Sequence, residues 1–215
     1  MNAPLRIASS MALVTMLAAC SGSGDIVVDE GVGITALRTV CPAVGVPDYT
    51  GDITTFRGGD TTAAAIDVSA ALTNVRSTCD DTGAKIYTNA TFDVLARRTD
   101  TRGARRVELP FFSTVLRGNT AVVSKRIGTV VIDFADGQER AQGSGTAGAF
   151  VDREASTLPD EIRREITRKR EAGDEDAALD PLSKPEVRAA LSRATFEVLV
   201  GFQLNEQQFA YNVTR

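Results

Sequence analysis

The side chains that could do chemistry in this 215-residue chain are few in kind, and one kind is missing: it has no histidine. Ser-His-Asp and Cys-His nucleophilic sites, and every metal site built on imidazole, are thereby excluded. No S-x-x-K pattern offers a lysine to activate a serine instead. Three thiols remain: Cys20, Cys41 and Cys79. Carboxylates are densest at Asp80-Asp81 and Asp174-Glu175-Asp176. Asp174 and Asp176 alternate as calcium ligands do, but the glycine and bidentate glutamate of a calcium loop do not follow at the required spacing. That run reads as solvated charge. Gly143, Gly145 and Gly148 satisfy G-x-G-x-x-G. A dinucleotide site also needs a buried parallel strand before the glycines and a helix opening after them. Ala149-Phe150-Val151-Asp152 opens no helix, so these glycines read as a flexible edge strand. No catalytic, cofactor-binding or metal-ligating residue is assigned, and no cofactor is implied.

The cationic residues fall into two clusters, Arg97, Arg98, Arg102, Arg105, Arg106 and Arg163, Arg164, Arg168, Lys169, Arg170. Such clusters can meet anionic headgroups, lipopolysaccharide phosphates or an acidic partner. The simpler expectation is a wet surface on which they balance neighbouring Asp and Glu.

At the N-terminus Arg6 precedes thirteen uncharged, mostly apolar residues, 7 to 19. As a helix they would measure about 20 Å, short of a hydrocarbon core of about 30 Å. That length fits the apolar region of a secretory signal. Leu17-Ala18-Ala19-Cys20 resembles the lipobox of bacterial lipoproteins. The resemblance implies that residues 1–19 are a signal peptide, cut after Ala19. It further implies diacylglycerol on the Cys20 sulfur and an acyl chain such as palmitate on the new amino terminus. Two or three such chains anchor a protein essentially permanently. Ser21 stands where an inner-membrane retention signal places Asp, so the resemblance points to the outer membrane, with the protein facing the periplasm. Removing residues 1–19 leaves 23 basic against 28 acidic residues, a net charge of −5. A mildly acidic body in that compartment excludes a general nucleic-acid binder, which needs a basic face.

With Cys20 taken as the lipid anchor, Cys41 and Cys79 are an even pair in an oxidising compartment, where a disulfide is the default. Two thiols 38 positions apart without histidine make a poor metal or redox site.

The elements that position these groups are mostly strands. Residues 20–33 read as a lipidated flexible tether, and residues 34–62, with Pro42, Pro47, Gly51, Gly58 and Gly59, as irregular structure with short strands. A two-residue period then takes over. It runs through Ala64 to Leu72, through Ile86 to Ala96, through Val107 to Val115 and through Gly128 to Phe134, with a weaker strand at 140–151. Turns are expected at Cys79–Gly83, Gly118-Asn119 and Ala135–Gln138, where Asp-Gly is a hairpin signal. Residues 156–192 carry helix signals, with Ile162 and Ile166 forming a stripe too narrow for a buried helix and a second helix from Lys184 to Leu191. Phe196, Val198, Val200, Phe202 and Leu204 restore the strand period. This final segment also resembles, over about fifteen residues, the ending of some bacterial lipoproteins that carry no assigned activity.

The pattern predicts a mainly β protein. Sandwich and barrel both fit the alternation; the expectation is a single domain, 34–215, built as an antiparallel β-sandwich, immunoglobulin-like or related, with a charged α-helical insertion at 156–192 before the last strand. The expected role is a non-catalytic interaction or assembly module, held by lipid at the outer membrane and working on an envelope protein. The alternative is a periplasm-facing binding protein for a small or lipidic ligand. An interior filled by Ile66, Phe92, Phe111, Ile132, Val198 and Phe202 would oppose that alternative. A hydrolase using carboxylates alone would instead need several to converge in a cleft.

Overall fold

In a computed structural model the described residues are 38–215. The segments expected to be a signal peptide (1–19) and a tether (20–33), with the lipobox-like stretch and Cys20, lie outside them. The described residues are mainly β, with eight strands in two four-stranded sheets. Strands β1 (Ala43–Gly45), β8 (Phe196–Phe202), β5 (Arg105–Arg117) and β6 (Ala121–Phe134) lie side by side in that order in one sheet. Strands β2 (Asp52–Phe56), β3 (Ile66–Asp80), β4 (Lys85–Arg98) and β7 (Arg140–Asp152) form the other.

All pairings are antiparallel except β1 with β8, which run parallel. The expectation of a purely antiparallel arrangement fails there. A segment as short as β1 lacks room for a visible period, and it reaches β8 from far away in sequence.

Alternation explains the core. In β4 the side chains of Ile86, Thr88, Ala90, Phe92, Val94, Ala96 and Arg98 are buried in unbroken succession. Opposite them, Leu109 and Phe111 of β5, Val130, Ile132 and Phe134 of β6, and Val200 and Phe202 of β8 complete one cluster between the sheets. Phe92 and Phe111 meet edge to face, with ring centroids 5.1 Å apart. Of the residues expected inside, Phe92, Phe111, Ile132, Val198 and Phe202 are buried, and Ile66 is half-buried. Cys41, just before β1, is bonded to Cys79 near the end of β3, so a disulfide joins the two sheets. The turn expected at Cys79–Gly83 is shorter than that, because β3 runs on through Asp80. Ala63–Ala65, expected to begin the strand, forms a 3-10 turn instead.

The glycines that mimic a phosphate loop have packing reasons. A Cβ on Gly145 would lie 2.4 Å from the Phe92 ring, and one on Gly143 would lie 2.6 Å from the Val131 carbonyl oxygen. β7 needs both glycines bare so that it can close against the core and against β6. It is a full thirteen-residue strand, not the weak one expected.

The helices between β7 and β8 are α1 (Arg153–Ser156), α2 (Asp160–Thr167) and α3 (Pro185–Ala194). They begin earlier and end later than the 156–192 boundary expected from composition. Nor are they a merely solvated excursion. Leu158, Ile166, Val187, Ala190 and Ala194 are buried together as a small second core. One isoleucine turn of α2 suffices because Leu158 and α3 supply the remaining apolar surface. The chain closes with α4 (Glu206–Thr214), capped by Asn205, whose side chain accepts from the Gln208 amide at 2.8 Å. Tyr211 of α4 packs edge-on against Phe56 of β2 at 5.0 Å.

Candidate interaction surface

The first expected basic cluster divides into buried and ion-paired members; the second does so in part, with Arg164 and Lys169 left exposed. Arg98 was expected on the surface, yet it is 1% exposed. Its guanidinium donates to four carbonyl oxygens, those of Gln138 (2.7 Å), Gly103 (2.8 Å), Thr101 (2.8 Å) and Ala135 (2.7 Å), and lies over the Phe134 ring. It ties the 99–104 loop to the 135–138 turn. Arg170, also expected to be solvated, is 2% exposed and approaches Asp176 at 3.4 Å. Asp176 in turn holds Arg168 at 2.5 Å. The acidic run at 174–176 is thus part of a structural ion network, not a free calcium loop. Among the described residues no group of three or more Cys, Asp or Glu is placed to hold a metal ion.

The other arginines of the first cluster are also matched. Arg97 pairs with Glu139, Arg102 with Asp100, Arg106 with Asp133, and Arg105 with Asp67 through two bonds of 2.7 and 2.6 Å. The Asp67 carboxyl is held below its ordinary value, first by the hydrogen bonds from Arg105. Asp133 and Asp176 are lowered in the same way by Arg106 and Arg168. A carboxylate whose pKa falls on folding adds stability above its unfolded value near pH 4 and loses it as the pH drops through the folded one. We therefore expect acid to destabilise the chain below about pH 4. Asp67→Asn should lower the pH-7 stability by about 1 kcal/mol or less, as a pair partly open to solvent does, and flatten the acid limb of a urea-midpoint titration. An unchanged acid limb would contradict the assignment.

With the cationic clusters largely accounted for, three surface features stand out. The outer face of the β2-β3-β4-β7 sheet carries a groove of about 560 Å³, which Arg97, Arg140, Leu95 and Arg215 help to line. A second cleft, of about 500 Å³, lies between β6 and β7, lined in part by Phe92, Phe111, Gly128 and Gly145. The third is β6 itself. Its second half is inward-facing at Val130, Ile132 and Phe134, but residues 121–127 are exposed without exception. Val122, Val123 and Ile127 are 64, 57 and 56% exposed. β6 is the last strand of its sheet, and among the described residues only β5 pairs with it.

Of the residues named from sequence, Cys41 and Cys79 come together as a disulfide, and Cys20 lies outside the described residues. The exposed half of β6 had no place among the sequence-derived candidates. Its signal was available in Ala121-Val122-Val123, three apolar residues in a row where an alternating strand would place a polar one. Comparison with protein-family models, with curated proteins and with solved structures found no match to this chain.

Proposed function

We propose that this protein is a lipid-anchored module of the bacterial outer membrane, facing the periplasm, which works by binding an envelope protein and not by catalysis. Leu17-Ala18-Ala19-Cys20 supports the anchor, and the Cys41–Cys79 disulfide fits a chain made for an oxidising compartment. Within this reading the two sheets are the layers of a β-sandwich. Their wiring, with β2, β3 and β4 as a meander and β7 beside β4, favours the "or related" branch over an immunoglobulin-like order.

The observation that carries the choice of role is the filled interior. Phe92, Phe111, Ile132, Val200 and Phe202 pack together between the sheets, which favours recognition on the outside of the molecule even though a cleft reaches Phe92 and Phe111. A binding protein for a small or lipidic ligand is the second reading, and the groove beside Leu95 and Arg140 is what favours it.

The anchor is tested by Cys20→Ala. The native chain should fractionate with the outer membrane and yield an N-terminal peptide bearing acyl chains on Cys20, whereas the variant should be released to soluble fractions. A Cys20 recovered as a free thiol in an uncleaved chain would overturn the proposal.

A further inference from the structure

A sheet edge presents a row of unpaired backbone N–H and C=O groups, ready to accept another strand. Most proteins blunt such an edge by keeping it short, by covering it or by lining it with charge. β7 is partly covered, since its Gly143 packs against the Val131 carbonyl and Ile132 of β6. Among the described residues the first half of β6 has no such cover. Seven consecutive residues, 121–127, are exposed, and three of them are large aliphatics.

We infer that residues 121–127 of β6 are a strand-addition edge for an extended segment of a partner protein, one in which apolar residues alternate with carboxylates. This rests on the proposal above that the chain works through its surface on a partner. Charge selects the occupant. No acidic residue occurs between Glu108 and Asp133, while Arg117, Lys125 and Arg126 all fall in that stretch. Lys125 lies over the Phe112 ring at 5.2 Å, and among the described residues neither it nor Arg126 has an ion-pair partner. Both sit in the second half of the exposed run. A second copy of this chain adding antiparallel about these two residues would set Lys125 opposite Arg126 twice over, and like charges across a strand pair repel. An acidic strand meets the same positions with attraction. Backbone bonds would supply affinity along the edge; on one face Val123 and Ile127 would receive the apolar side chains, and on the other Arg126 would meet the carboxylates.

The test uses the full chain purified in detergent and a blocked heptapeptide alternating valine and glutamate. Hydrogen exchange followed by mass spectrometry reads which amides the peptide protects. Protection confined to the β6 segment around 121–127 is expected. It should weaken about tenfold in Lys125→Glu/Arg126→Glu, and it should disappear when alternate peptide amides are N-methylated. A peptide alternating valine and lysine should give none. Unchanged exchange on the rest of the charge-reversed variant shows that it is folded. Equal protection by both peptides, protection elsewhere, or peptide-independent protection that rises with protein concentration would each overturn the inference, the last by assigning the edge to a second copy. None of these results touches the anchor at Cys20, which is read by fractionation, so the two failures are distinguishable.

Discussion

Replacing Arg98 by methionine should cost about 3–5 kcal/mol of folding stability, since four carbonyls lose their donor at about 1–3 kcal/mol each and solvent recovers only part of that, and should lower the thermal midpoint by about 10 °C. The side chain is 1% exposed and makes four hydrogen bonds of 2.7–2.8 Å to carbonyl oxygens. Bonds of this charge-assisted kind contribute about 1.5–3 kcal/mol each, but they are not additive, and methionine keeps the apolar contact with Phe134. What methionine cannot do is satisfy the carbonyls of Thr101, Gly103, Ala135 and Gln138. The loop and the turn that carry them should open to water. Chemical denaturation with hydrogen exchange over 99–104 and 135–138 checks both parts. A loss below about 1 kcal/mol, or protection unchanged in these segments, would contradict the structural role assigned to Arg98.

The second large effect concerns the disulfide. Cys41 and Cys79 enclose 38 positions, and cross-linking a loop of that size restricts the unfolded chain by about 4 kcal/mol in the entropic treatment. Cys41→Ser/Cys79→Ser should therefore lose about that much and melt about 10 °C lower. The local consequence is more specific. Cys41 leads directly into β1, whose three residues pair in parallel with β8 at Glu197, Val198 and Leu199. Without the bond to β3, amides at 43–45 should exchange faster than those of β8 itself. A double variant that melts with the native chain would show that the two sheets need no covalent link.

How far the sequence discloses this architecture depends on the length of each element. β4 is legible residue by residue, since its period continues without fault from Ile86 to Ala96. The same parity points to Arg98, the next position, as an inward residue; only its charge argues for the surface, and the charge is accommodated by carbonyls that no local pattern reveals. β1 is illegible because three residues cannot show a period and its partner lies about 150 positions away. The helical stretch misleads for a related reason. Its apolar stripe looks inadequate until Leu158 and α3 are seen to bury Ile166 from the other side.

The candidate surface was legible only in part. Pairing of Cys41 with Cys79 follows from parity of number once Cys20 is set aside as the expected anchor. That the first half of β6 is left uncovered depends on where β7 approaches it, which is a property of two strands and not of either sequence.

The central claim, that the chain works at the membrane by binding an envelope protein, is tested most directly by amine crosslinking in intact cells followed by mass spectrometry. The chain offers four lysines, Lys85, Lys125, Lys169 and Lys184, as reporters. The account predicts one envelope protein recovered reproducibly with the native chain and lost with Cys20→Ala. No specific partner from either chain, together with a lipid or solute that co-purifies with the protein, would contradict it and favour the ligand-binding reading.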